Sequence, residues 1–204
     1  MNLGQMLLVL AALGLLGILT LSTNSNVMQS NEIQNNSEVG VTAVSLATSV
    51  VEEAMGTMFD SAIGDTNSGP VDSLSQLTPP GGLGHSALES YRGTVPGTKD
   101  FNDFDDFNNL FLVYKSDNPS DTVHTPGSNY EFVVPGIRNK YFVRVRVNYV
   151  DPSALNSVSP VATWNKKITV TVTSSFPHIG SPVQQLQDSL KNTLVYPAVM
   201  SYWN

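Results

Sequence analysis

The carboxylates Asp100, Asp103, Asp105 and Asp106 crowd into the run Asp100-Phe101-Asn102-Asp103-Phe104-Asp105-Asp106-Phe107-Asn108. Calcium takes roughly six to eight oxygen ligands, and Asp103 and Asp105 with Asn108 would begin such a set, but the glycine and closing glutamate of an EF-hand loop are missing. The competing reading is structural and is the one preferred here. Asp and Asn side chains bond nearby backbone N–H groups to build turns, while Phe101, Phe104 and Phe107 point into a core. His85, His124 and His178 lie in loops containing Gly or Pro, none at helical or strand spacing from a second ligand, which argues against metal binding or general-base work. Gly81-Gly82-Leu83-Gly84-His85-Ser86 superficially suggests a phosphate loop or a nucleophile elbow. It lacks the lysine of the first, the G-x-S-x-G order of the second and a preceding strand. With no cysteine in the chain, disulfides, thiolate metal sites and covalent haem attachment are all out of reach. The residues therefore predict no enzyme, no cofactor and no catalytic site.

Charge narrows the partners. The formal net charge is −7, and the first basic residue of the chain is Arg92, so the clustered Lys and Arg that neutralise phosphates are absent and no nucleic-acid surface is expected. Arg144, Arg146, Lys166 and Lys167 are the local basic groups. They fall in strand-like stretches and read as solvated strand faces.

The elements that must position these residues begin with a segment of another character. From Met1 to Asn31 there is no charged side chain, from Met6 to Leu21 the chain is almost continuously apolar, and no proline occurs before Pro70. A cleavable secretory signal needs a basic n-region and a small-residue cleavage site, and neither is seen. A plain anchor needs about 20 apolar residues to cross ~30 Å of hydrocarbon, which Met6 to Val27 supplies if Ser22 to Asn26 lie at the interface. A third reading makes the segment the core of a helical bundle. Gly14 and Gly17 weaken a helix by about 1 kcal/mol each relative to alanine and mark a place for local unwinding in an assembled state. Downstream, Val39, Ala43, Leu46, Ala47, Val50, Ala54 and Met58 recur at three- and four-residue steps and continue one apolar stripe to about Asp60.

An uncharged Met/Leu/Val/Ala-rich N-terminus with Gly14, running unbroken into an amphipathic half-helix and a β-rich head, resembles a type IV pilin or a type II secretion pseudopilin. The acidic run from Asp100 to Asn108 is similar to the Asp-Asp-aromatic-Asn segment of several pilin-like proteins, and Lys166 to Val172 resembles the strand that follows it in them. Two features depart from the family. Its best-known members carry a glutamate at the fifth mature position, thought to pair with a neighbour's N-terminal amine, whereas this chain has Gln5, which accepts a hydrogen bond without neutralising an ammonium. They also begin as precursors with a short basic leader, so Met1 is either the processed N-terminus or the start of a variant branch. The resemblance also keeps calcium in play, because some pseudopilins bind it in the head.

The predicted organisation is an apolar helix half over 1–26 and a head over 27–204. The head comprises an amphipathic helix half (27–62), an irregular loop (64–99) with a short helical turn near Ser86 to Tyr91, and a β-sheet (110–204). Strands are expected at Leu110–Lys115, Tyr130–Val134, Tyr141–Tyr149, Lys166–Thr173 and Leu194–Tyr202, with a short helix at Ser181–Lys191. Clean alternation in the Tyr141 and Lys166 strands gives each one apolar face. The fold class is therefore α+β, a long N-terminal helix packed on an antiparallel sheet with a single buried side.

The resemblance implies a structural subunit of an extracellular filament at a bacterial surface, membrane-anchored before assembly. Its partners would be copies of itself, the inner membrane, and a pilus or secretion assembly machinery. Assembly would rest on Met1, Gln5, Met6, Leu7, Leu10, Gly14, Leu15, Gly17, Ile18 and Leu21. The alternative is a minor pseudopilin or a membrane-tethered binding protein.

Overall fold

The computed structural model describes residues 3–64, 71–117, 130–137, 139–175 and 193–202. Met1, His124, His178 and the helix expected at Ser181–Lys191 lie outside them. The chain divides into two compact units, Met1–Val41 and Thr42–Asn204.

In the first unit the backbone is helical throughout its described length, as the opening part of α1 (Leu3–Met55). Every residue from Leu3 to Glu38 is exposed, and Val39 is buried. Gly14 and Gly17 do not interrupt the helix, and a Cβ at either would meet no other atom within 4 Å. Thr20 and Thr23 donate their hydroxyls to the carbonyls of Leu16 and Leu19 at 2.8 and 2.9 Å, turning their polar atoms back onto the helix.

The second unit is an α+β layer of helix on sheet. Along the last turns of α1, Ala43, Ala47, Val50, Val51 and Ala54 are buried, and Ala47, Val50 and Ala54 are wholly inaccessible. Small side chains at these positions let the helix backbone approach the sheet closely. The helix ends at Met55, short of the boundary expected at residue 62. Gly56 bonds back to the carbonyls of Glu52 and Glu53, and Met58 then pairs with the chain around Asp103 through Met58 N to Asn102 O and Phe104 N to Met58 O. Those ladder bonds compete with further helix and turn Phe59 and Asp60 into the core. A single helical turn, α2 (Ser61–Gly64), follows.

The sheet is built from β1 (Phe111–Lys115), β2 (Tyr130–Val133), β3 (Lys140–Asp151), β4 (Ala154–Val158), β5 (Asn165–Ser175) and β6 (Thr193–Ser201). The order is β2-β1-β3-β5-β6, with β4 paired to β3. All pairings are antiparallel except β1 with β2, which run parallel, so the sheet is mostly rather than wholly antiparallel. β4 was not expected from the sequence. All its residues are exposed, and it returns along β3 through a turn held by Asp151, which accepts from Ser153 N and Oγ. β6 sits at an edge, opposite Thr169 at Pro197, whose missing N–H is tolerated there.

The two long strands set the core. Val143, Val145 and Val147 of β3 face the helix side in register with Val172, Val170 and Ile168 of β5, and all six are buried. Arg144 and Arg146 alternate to the exposed face, where the Arg144 guanidinium lies 4.2 Å from the Phe111 ring centroid. A second apolar cluster gathers Phe59, Val71, Leu77 and Tyr149. The expected irregular loop is a chain of short 3-10 turns at Leu74–Gln76, Pro80–Gly82 and Tyr91–Gly93. A hydrogen-bonded turn also closes between Ser86 O and Glu89 N.

Candidate functional site

Two places concentrate chemistry or unusual surface, and each lies within one unit.

In the first unit, Met6, Leu7, Leu10, Leu15, Ile18 and Leu21 are all more than half exposed, ranging from 53% at Met6 to 72% at Leu21. Gln5, Gly14 and Gly17 are exposed beside them. α1 is long and apolar enough to cross a membrane, with a mean hydropathy of 2.3 in its most apolar window and none of that window buried. At ~1.5 Å per residue its 53 residues extend about 80 Å, against ~30 Å for the hydrocarbon of a bilayer.

In the second unit the acidic run is drawn into the interior. Asp103 caps the 3-10 turn Phe104–Phe107: its Oδ1 accepts from Asp105 N at 3.0 Å and Asp106 N at 3.2 Å. Asp106 answers by accepting from Asn102 N and Asp103 N, completing a capping box. Phe101, Phe104 and Phe107 are buried, as the structural reading of this run requires. Asn108 bridges two segments, donating to Leu83 O and accepting from Val147 N, both at 3.0 Å. The left-handed Asn109 (φ 62°) then turns the chain toward β1.

The weak calcium candidates Asp103, Asp105 and Asn108 thus have their oxygens engaged by backbone N–H groups and by a lysine. No group of three His, Cys, Asp or Glu among the described residues is arranged to hold a metal ion. His85 packs edge-on against Phe101, with ring centroids 5.3 Å apart.

The lysine is Lys166, and here the reading of solvated strand faces fails. Its side chain is fully buried, and Nζ donates to Asp60 Oδ2 at 2.8 Å, Asp105 Oδ1 at 2.6 Å and Phe59 O at 2.8 Å. Lys166 shares strand parity with Ile168, Val170 and Val172, so the alternation that places those three inside places it inside as well. An ammonium survives there because all three of its hydrogens have acceptors and two of those are carboxylates. The rings of Phe59 and Tyr149 lie 4.6 and 5.2 Å from Nζ and close the site to water.

Electrostatics divide the carboxylates. Burial alone would raise Asp60. The hydrogen bond and charge of Lys166, with N–H donors from Thr78 and Ala62, outweigh it and hold Asp60 below the ordinary carboxylate value. Asp103 is pushed up to about 8, by burial first and then by the charge and hydrogen bond of Asp105 and the charge of Asp106. Asp106 is also raised, chiefly by burial. Tyr149 donates to Thr78 O at 2.7 Å, and burial together with the nearby Asp60 keeps its hydroxyl protonated.

A further pairing ties the end of α1 to the loop. Glu53 accepts from Tyr91 OH at 2.8 Å and from Arg92 Nη2 at 2.7 Å, and Arg92 adopts a left-handed backbone (φ 54°). A carboxylate in the last turn of a helix opposes the helix dipole, and the guanidinium offsets that cost.

No protein-family model, curated protein or solved structure matches the chain.

Proposed function

We propose that this chain is a pilin-like structural subunit of an extracellular helical filament, held in a membrane by its apolar helix before assembly and packed through that helix afterwards. The observation that supports this reading is the uninterrupted exposure of α1 from Leu3 to Glu38, on a segment whose large apolar side chains include Leu7, Leu10, Leu15, Ile18 and Leu21. Apolar surface on this scale is not left in water. A bilayer covers about 20 residues of it, whereas α1 is more than twice that length, and a bundle of copies covers the remainder. Contacts between copies that do not close on themselves generate a helical polymer. The role is structural rather than catalytic, with copies of the chain, the inner membrane and an assembly machinery as partners.

Gln5 favours a second reading, a minor pseudopilin or membrane-tethered binding protein. A subunit with no neighbour above it has no ammonium to neutralise at that position.

Electron microscopy of material sheared from the cell surface tests the proposal. Filaments containing this chain are expected, and Leu15→Lys is expected to abolish them, because a lysine at the centre of the segment costs about 2.5–3.5 kcal/mol on insertion scales. A chain found solely in membranes, with no filaments, overturns the filament reading in favour of the second.

A further inference from the structure

We propose that Lys166 and Asp105 condense to an intramolecular isopeptide bond, an amide between Nζ and the Asp105 side-chain carbonyl carbon, with Asp60 as the base. The proposal does not rest on the filament reading.

The geometry carries it. Nζ lies 2.6 Å from Asp105 Oδ1, so carboxyl bond lengths place Cγ about 3–3.5 Å from the nitrogen, the separation of a near-attack pair. Both groups are held rigidly. Lys166 sits in the middle of the sheet on β5, between β3 and β6, and Asp105 sits in the capped turn Phe104–Phe107. Both are buried, as are Asp60, Asp103 and Asp106. Four carboxyl groups around one ammonium leave an excess of negative charge in a dry site. Condensation removes one buried charge of each sign, which desolvation favours.

The step balances without any outside reagent. The Lys166 ammonium gives one proton to the Asp105 carboxylate across 2.6 Å, making a neutral amine and a carboxylic acid. The nitrogen lone pair attacks Cγ while Asp60 Oδ2, at 2.8 Å, takes a second proton from Nζ. Asp60 returns that proton to the departing hydroxyl, the Cγ–O bond breaks and one water leaves. The amide keeps a single N–H, which has the Phe59 carbonyl, at 2.8 Å from Nζ, as its acceptor. Asp103, hydrogen-bonded to Asp105, polarises the carboxyl group under attack. The rings of Phe59 and Tyr149 keep out the water that would reverse the reaction. In a chain without cysteine, the bond would join the turn ahead of β1 to the middle of the sheet, as a disulfide does elsewhere.

Mass spectrometry of the full chain purified in detergent tests this. The intact protein is expected to be lighter than its sequence by one water. A digest is expected to contain a branched peptide joining Asp105 to Lys166, with trypsin no longer cutting after Lys166. Lys166→Met is expected at its full calculated mass whether or not it folds. Asp60→Asn retains both reacting groups without the base and is expected to remain largely uncondensed. Wild-type protein that melts cooperatively yet has its full calculated mass overturns the proposal. So does a water loss confined to one linear peptide, the mark of a succinimide. Complete condensation in Asp60→Asn overturns the assignment of Asp60 as the base.

Discussion

At the scale of single residues, the head is organised around one buried cation. Removing it strands Asp60 and Asp105 without their partner, and Lys166→Met is expected to destabilise the head by about 3–5 kcal/mol, read from chemical unfolding. A loss below ~1 kcal/mol would show that the carboxylates simply protonate and that the pair holds little together. The cluster also gives a pH dependence of definite sign. Asp103 is raised from 3.8 to about 8, so the folded state binds its proton more tightly than the unfolded state does. Stability is then lost as pH rises through that window. Asp106 acts in the same direction, whereas Asp60, held low, loses its contribution on the acid side as pH falls through and below the ordinary carboxylate range. Burial, the larger cause for Asp103, persists whether or not Asp105 keeps its charge. The thermal midpoint is expected to drop between about pH 5 and about pH 8, and Asp103→Asn, which preserves the cap, is expected to shrink that drop. An unchanged slope in the variant would remove Asp103 from the account. Little of this was legible beforehand. The parity of Lys166 with Ile168 put it on the inner face, but a charged residue at a strand end is ordinarily solvated. Asp60 and Asp105 are distant from it in sequence, and their convergence depends on where α1 stops.

At the scale of elements, what sequence patterning shows best is what has a period. The alternation in β3 and β5 and the three- and four-residue steps from Val39 to Ala54 are both found on buried faces. The elements that escaped have no such period. β4 is exposed on every residue, and β2 joins β1 in parallel, a choice made by sheet topology rather than by side-chain pattern. The end of α1 is set by backbone pairing between Met58 and the segment around Asp103, which no local preference encodes. The helix–sheet contact yields its own prediction. Ala47 is wholly inaccessible, so Ala47→Leu is expected to cost about 1–3 kcal/mol through overpacking, measured by unfolding, while the same change at an exposed helical position should be near neutral. A neutral Ala47→Leu would mean that this face of the helix is not in close contact.

At the scale of the whole molecule, the proposal turns on an apolar segment with no cover of its own. Its length, lack of charge and exposure were readable from composition alone, because hydropathy over a long uncharged run needs no tertiary information. What covers it depends on other molecules and is not written in the chain. Deleting Met1 to Asn26 is expected to give a soluble monomeric head, since Ala43, Ala47, Val50, Val51 and Ala54 are already buried in the second unit. A truncated chain that still polymerised, by sedimentation, would move the assembly interface to the head. α1 is continuously helical through Gly14 and Gly17 in the single chain, whereas the assembled state is expected to unwind there, where helix is weakest.

The central claim is that copies of α1 bury one another's apolar surface, and a cryo-EM reconstruction of filaments made from this chain tests it most directly. The account predicts Leu7, Leu10, Leu15, Ile18 and Leu21 packed against other copies along the filament axis, with the sheets outside. A filament joined through its heads, with those side chains facing solvent, would contradict it.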